Sequence, residues 1–146
     1  MKKHLIAAAS AVTLALGAAQ VQAAEPLEFQ KVMKELGKNM QTVTDGISRE
    51  DWELVAKTAP LIAKHPQPPT EEKQRIISFM GAQMPKFTSF DMQTHEAAHE
   101  LEHAANEQNG RGVIDAFQKV QSSCLSCHQA FRAPFVKHFY GKARVN

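Results

Sequence analysis

Residues 111–133, which read RGVIDAFQKVQSSCLSCHQAFRA, decide the fold of this 146-residue chain. Apolar residues recur through the stretch at intervals of three and four, which is typical of one face of an α-helix. The residues on that face are Val113, Ile114, Phe117, Val120, Cys124, Cys127 and Phe131. We therefore expect a long amphipathic helix near the end of the chain, interrupted at Pro134.

The same helix carries the motif Cys124-Leu125-Ser126-Cys127-His128. One helical turn separates the thiols, so both can bond one porphyrin edge, and the adjacent histidine can reach the iron as an axial ligand. The chain has only these two cysteines, so none is left for a disulfide or a four-ligand zinc site. A thioredoxin-like redox pair and an incomplete zinc site are the alternatives. The spacing favours covalent attachment of one haem c.

Residues 1–23 have the parts of a secretory signal peptide. Lys2 and Lys3 give a positive start, residues 5–19 form an apolar run, and small residues precede a predicted cleavage after Ala23. A retained membrane anchor is the alternative, but a spanning helix needs about 20 apolar residues. We expect export to a bacterial periplasm.

The mature chain, residues 24–146, is expected to form a single domain that does not insert into a membrane. Lys2 and Lys3 account for the formal net charge of +2, so the mature polypeptide is near neutral. Nucleic-acid-binding proteins carry a basic stripe, so nucleic acid is not an expected partner.

Apolar periodicity predicts further helices before the last one. The predicted helices are A (26–46), B (48–65), a short helix (70–80), C (88–107) and D (111–133). Gly46 is a candidate stop for helix A, and Ser48 is a candidate start for helix B. Pro60 should kink helix B. Four long amphipathic helices with short connections predict an all-α, up-down-up-down antiparallel four-helix bundle, with the haem attached at one end.

Each long helix has one predicted inward stripe. The stripe of helix A consists of Phe29, Val32, Met33, Leu36, Met40, Val43 and Ile47. That of helix B consists of Trp52, Val55, Ala59 and Ile62. That of helix C consists of Thr94, Ala97, Ala98, Leu101, Ala104 and Ala105.

Met33 is a candidate second ligand of the iron. In this topology A and D are antiparallel neighbours, and His128 lies ~8 Å from the end of D at 1.5 Å per residue. Met33 lies ~10 Å into helix A, and Met40 is another ~10 Å deeper. A methionine on an apolar stripe is usually core filler, so periodicity leaves both roles open, and the depth favours Met33 as the ligand.

These features resemble the class II c-type cytochromes, the cytochrome c-prime superfamily, over nearly the whole mature chain. Residues 30–40, QKVMKELGKNM, are similar to the opening of the low-spin branch, in which a methionine of helix A ligates the iron; the matching residue is Met33. Residues 127–132, CHQAFR, resemble the family's continuation, with Arg132 four residues after His128. The short helix between B and C and the long tail from Pro134 depart from the family.

The resemblance implies an electron carrier and not an enzyme, with redox proteins as partners. With His128 and Met33 as ligands the iron would be low-spin and closed to substrate, and the thioether would favour ferrous iron. The alternative is a five-coordinate relative that binds nitric oxide or carbon monoxide, with Met33 in the core. Gas-binding relatives are often dimers, so a homodimer is compatible with the resemblance. Arg132 could pair with a haem propionate or be an ordinary exposed arginine.

Two further features allow alternative interpretations. His95, His99 and His103 share one flank of helix C, where two imidazoles one turn apart could chelate zinc, copper or nickel, although solvated histidines are commoner. The tail from Pro134 to Asn146 could pack back on the bundle, fray, or dock a redox partner.

Overall fold

The computed structural model describes residues 27–141, and within them the chain is helical and has no strand. The predicted signal peptide and the last five residues lie outside the described residues. The helices are α1 (Phe29–Ser48), α2 (Trp52–Ala63), α3 (Thr70–Met80), α4 (Met84–Asn106), α5 (Gly110–Cys127) and α6 (Ala133–Tyr140). A 3₁₀ turn, Gly81–Gln83, joins α3 to α4, and a π-helical turn, His128–Arg132, joins α5 to α6.

The four long helices α1, α2, α4 and α5 form the predicted four-helix bundle. Helix α4 packs along both α2 and α5, and α2 packs along α1, whereas α1 and α5 approach each other at few points. The short turns between α1 and α2 and between α4 and α5 make each of these pairs an antiparallel hairpin. In the part of the chain that the structure describes, no helix is both long and apolar enough to cross a membrane.

The bundle core confirms most of the predicted stripes. The core residues include Val43, Val55, Ala59, Ile62, Ala97, Ala98, Leu101, Ala104, Ala105, Val113, Ala116 and Val120. We refer to this set as the bundle core. The prediction for Ile114 was wrong, because its side chain is 47% exposed and the small Ala116 faces inward instead.

The junction between α1 and α2 differs from the prediction. Ser48 belongs to α1, where its hydroxyl donates to the Thr44 carbonyl, and Asp51 is the N-cap of α2, accepting a hydrogen bond from the Leu54 amide at 3.0 Å. Gly46 does not end α1. A Cβ at Gly46 would lie 2.9 Å from a methyl carbon of Val55, so the glycine allows close approach of the two helices.

The two prolines near the ends of predicted helices begin helices in the structure. Pro85 lies in the first turn of α4, which starts at Met84 and not at Thr88 as predicted. Pro134 lies in the first turn of α6, so the chain stays helical beyond it. A proline has no N–H to donate to the preceding turn, and the π-helical turn just before Pro134 accommodates this loss.

A second apolar cluster closes the end of the bundle where α3 and α6 lie. Its buried members are Leu27, Ile76, Met80, Phe131, Phe135 and Phe139, and we refer to them as the aromatic cluster. The Phe135 ring lies 5.6 Å from that of Phe29 and 4.6 Å from that of Phe139, centroid to centroid. Up to Tyr140 the tail therefore packs back on the bundle, which was one of the three alternatives predicted for it.

The start of α1 is held by a carboxylate from α3. Glu72 is only 8% exposed, and its two oxygens accept hydrogen bonds from the amides of Glu28 at 2.7 Å and Phe29 at 2.6 Å. The first amides of a helix have no partner within the helix, and the positive end of its dipole favours an anion there. Glu72 thus ties the first turn of α1 to the aromatic cluster.

Replacing Glu72 by alanine should lower the free energy of unfolding by about 2 kcal/mol, because hydrogen bonds to a charged group are each worth roughly 1.5–3 kcal/mol. Urea denaturation measures the change. Glu71→Ala is the matched control, since Glu71 is exposed in the same helical turn. Equal, small effects of the two substitutions would contradict this role for Glu72.

Candidate haem site

The two cysteines lie in the last turn of α5, where the bundle core meets the aromatic cluster. Cys124 packs against the bundle core and Cys127 against the aromatic cluster. Both thiols are free and half-buried. The last turn of α5 therefore places the two cysteine side chains at the boundary between the two clusters.

Both thiols are held in their protonated form. Burial, with the nearby Cys124 thiol and the Asp91 carboxylate, raises the pKa of Cys127 to about 11. Burial also raises the pKa of Cys124, although hydrogen bonds with Thr94 and Ser123 oppose the shift. Redox-active and zinc-bound cysteines need a stabilised thiolate. This environment therefore disfavours the thioredoxin-like alternative.

The zinc alternative for the cysteines finds no support in the surrounding ligands. Within residues 27–141, one group of three side chains is close enough to share a metal ion, and it consists of His65, Asp91 and His95. Neither cysteine belongs to it. The thiols are thus left available for thioether bonds.

His128 directly follows α5 and opens the π-helical turn. Its side chain is exposed, but neighbouring groups desolvate the ring enough to lower its pKa, and the positive charge of Arg132 lowers it further. A neutral imidazole is the form that ligates iron. Arg132 is exposed, and its role beside the haem stays a prediction. Single π-helical turns occur frequently at functional sites.

Met33 lies in α1 at the same boundary between the clusters. On α1, Phe29 packs against the aromatic cluster and Leu36 against the bundle core, and Met33 lies between them. Met33 is half-buried and belongs to neither cluster, whereas Met40 packs against the bundle core. The interpretation of a methionine as core filler therefore describes Met40 better than Met33.

The depths predicted from the helix ends were wrong in detail. Helix α1 starts at Phe29, which makes Met33 its fifth residue, and the helical chain continues beyond His128 to Tyr140. The packing partners of each residue show its position along the bundle axis better than its distance from a helix end does. On α5, Cys124 faces the bundle core and Cys127 the aromatic cluster, so the haem motif and Met33 share the boundary between the clusters.

The residues present fit a covalently bound haem. Cys124 and Cys127 lie at the boundary between the two clusters, His128 follows them in the chain, and Met33 lies on α1 between residues that pack against the same two clusters. Apolar side chains at the cluster boundary would face a bound porphyrin, and Arg132 is the cation that would be available to a carboxylate at its edge.

Comparison with known families agrees with this geometry. A family model described as Cytochrome C' matches residues 25–132. The chain belongs to the cytochrome c' family. The family match supports a c-type haem protein, with Cys124 and Cys127 as the only cysteines that could hold the haem. A search of curated proteins found no match to the chain.

The family match stops at Arg132, so α6 lies beyond the matched residues. Helix α6 contributes Phe135 and Phe139 to the aromatic cluster. This addition covers the end of the bundle next to Cys127. The tail, which was predicted to depart from the family pattern, therefore has a structural role through α6.

The three histidines predicted on one flank do not form a common site. His99 lies 3.4 Å from a carboxylate oxygen of Glu102, and His103 lies 3.3 Å from one of Glu107. His95, nearer the start of α4, approaches Asp91 and His65 instead. Sequence reasoning missed His65 and Asp91. The spacing of four between Asp91 and His95 was a usable signal, but nothing in the sequence pairs them with His65.

Proposed function

We propose that this cytochrome c' carries electrons through one haem c held by thioether bonds to Cys124 and Cys127. His128 and Met33 would be the axial ligands. The observation that supports the proposal most strongly is that Met33 lies on α1 between Phe29 and Leu36, which pack against different apolar clusters, and that it belongs to neither cluster. When bound, the haem supplies a one-electron ferric/ferrous couple.

The protein's contribution is to fix the ligands and to exclude water. A thioether from Met33 favours ferrous iron over ferric, and it would close the position that a gas would otherwise take. The bundle core and the aromatic cluster lie on either side of the motif, and an apolar environment disfavours the additional charge of the ferric state. Arg132 would bind a propionate.

The second candidate is a gas-binding haem protein, which membership of the cytochrome c' family favours. Members of the family typically bind nitric oxide or carbon monoxide. In that case Met33 would pack beside an open iron position without ligating it. The fold and the covalent attachment would be unchanged.

Exposure of the ferrous protein to carbon monoxide separates the two candidates. The proposal expects an unchanged optical spectrum and reversible reduction by a small one-electron reagent, since both axial positions are filled. A carbon monoxide adduct formed at micromolar gas would favour the gas-binding function instead.

We also propose export to the periplasm, with residues 1–23 removed as a signal peptide. Support comes from the charge and apolar pattern of this segment and from the requirement of c-type cytochromes for attachment of haem outside the cytoplasm. The mature protein would meet redox partner proteins there. The N-terminal sequence of the purified protein tests cleavage, and a start at Ala24 is expected.

A further inference from the structure

His65, Asp91 and His95 form a compact group of nitrogen and oxygen donors outside the haem motif. Asp91 and His95 lie one turn apart on α4, and His65 lies just after α2. The His65 Nε2 is 3.2 Å from Asp91 Oδ1, and the His95 Nε2 is 3.7 Å from Asp91 Oδ2. One donor atom from each side chain lies within 4.8 Å of the other two.

The imidazole of His65 is oriented for ligation. Its Nδ1 lies 3.2 Å from the Pro66 carbonyl oxygen, and since a carbonyl only accepts, Nδ1 must donate its proton there. Its Nε2 is hydrogen-bonded to Asp91 Oδ1, so a metal ion bound between them would take the place of the proton on Nε2. Metal-bound histidines commonly donate their second ring nitrogen to a backbone carbonyl or a carboxylate in this way. The side chain of His65 is only 7% exposed, so its position is set by packing.

His95 supplies a second donor that lacks a partner. Its Nε2 is buried and has no hydrogen-bond partner among the described residues, and 3.7 Å from Asp91 is too long for a hydrogen bond. A buried polar atom without a partner costs roughly 1–3 kcal/mol. The centroids of the His65 and His95 rings lie 5.2 Å apart in an edge-to-face arrangement. The Nε2 atom of each ring faces one oxygen of the Asp91 carboxylate.

We propose that His65, His95 and Asp91 bind one divalent first-row transition metal ion, such as Zn²⁺, through the two Nε2 atoms and the carboxylate. Around tetrahedral zinc with bonds of 2.0–2.1 Å, donor atoms lie about 3.3 Å apart. The two nitrogen–oxygen separations of 3.2 and 3.7 Å are close to that value. Small side-chain rotations would complete the geometry.

The proposed ion would satisfy the one donor of the group that lacks a partner. It would give the buried His95 nitrogen a partner, and it would use the Nε2 that His65 presents while Nδ1 stays bonded to Pro66. Two histidines and one carboxylate leave a fourth position open to water or a small ligand, as in zinc sites that are not purely structural. None of the three residues is a proposed haem ligand, although Asp91 lies near Cys127.

Titration calorimetry with Zn²⁺ tests the proposal on the haem-loaded protein after treatment with a chelator. We expect one ion per chain, and at least tenfold weaker binding in each of His65→Gln, His95→Gln and Asp91→Asn. The readout does not depend on the state of the haem iron. Asp91→Asn keeps the shape of the side chain and retains one acceptor, so it reports on ligation even if a histidine variant folds poorly.

The exposed histidines of α4 provide matched controls. His99→Gln and His103→Gln should leave zinc affinity within twofold of the parent, because each ring pairs with a carboxylate of its own helix. Absence of binding at millimolar Zn²⁺ would overturn the proposal. So would zinc binding of unchanged affinity in His65→Gln, His95→Gln and Asp91→Asn, whatever the effect of the His99 and His103 substitutions.

Discussion

Replacing Cys124 and Cys127 together by serine should yield a protein that holds no haem after denaturation. A hydroxyl does not take the place of the thiol in forming a thioether, and no other cysteine exists in the chain to replace them. The parent protein should keep its haem on a denaturing gel and show the mass of one added haem. Each single variant should keep one thioether bond and lose haem partially.

A serine within the motif offers the matched control for this experiment. The Ser126 hydroxyl donates to the Ser122 carbonyl, and neither residue has a role in attachment. The Ser126→Ala protein should carry covalent haem in full. Haem that stays bound to the denatured double-serine protein would show that attachment does not involve these cysteines.

Replacing Met33 by alanine should open the iron to external ligands. In the proposed ligation Met33 closes one axial position, so its loss should abolish the weak far-red sulfur-to-iron band of the ferric protein and allow carbon monoxide to bind the ferrous form. Optical spectra with and without carbon monoxide measure both effects. The change should be complete, since one sulfur either ligates the iron or does not.

Met40→Ala distinguishes the loss of a ligand from the loss of packing. Met40 lies two turns after Met33 on α1 and packs against the bundle core. Because Met40 is partly buried, its truncation should cost about 1–2 kcal/mol of stability and leave the far-red band intact. A band that survives in Met33→Ala, or one that disappears in Met40→Ala, would refute the assignment of Met33.

The sequence was sufficient for the bundle because burial follows helical periodicity closely. Val55, Ala59 and Ile62 were predicted on one face of α2, and all three are buried. The errors concern details that depend on neighbouring elements. Ile114 fits the periodicity but faces solvent, because the apolar stripe of α5 is wide enough to be rotated by its packing against α4.

Helix ends were less predictable because more than one residue could have capped them. Ser48 and Asp51 are both good N-cap residues, and the close approach of α1 and α2 at Gly46 selects Asp51. Pro134 was read as an interruption, whereas a proline is also suited to the first turn of a helix. Packing of Phe135 and Phe139 on the bundle decides between the two.

The candidate sites differ in predictability for a simple geometric reason. Cys124, Cys127 and His128 lie within five consecutive residues, so one helical turn is enough to bring them together. The prediction that Met33 lies near them also required that the first and last helices of the bundle be antiparallel neighbours. His65 joins Asp91 and His95 only through the packing of α2 against α4, which no local pattern encodes.

The optical spectrum of the purified ferric protein tests most directly whether His128 and Met33 both ligate the iron. We expect a low-spin spectrum with the weak far-red sulfur-to-iron band. A high-spin ferric spectrum without that band would leave the four-helix bundle and the covalent haem intact, but it would contradict ligation by Met33 and the proposed role as an electron carrier.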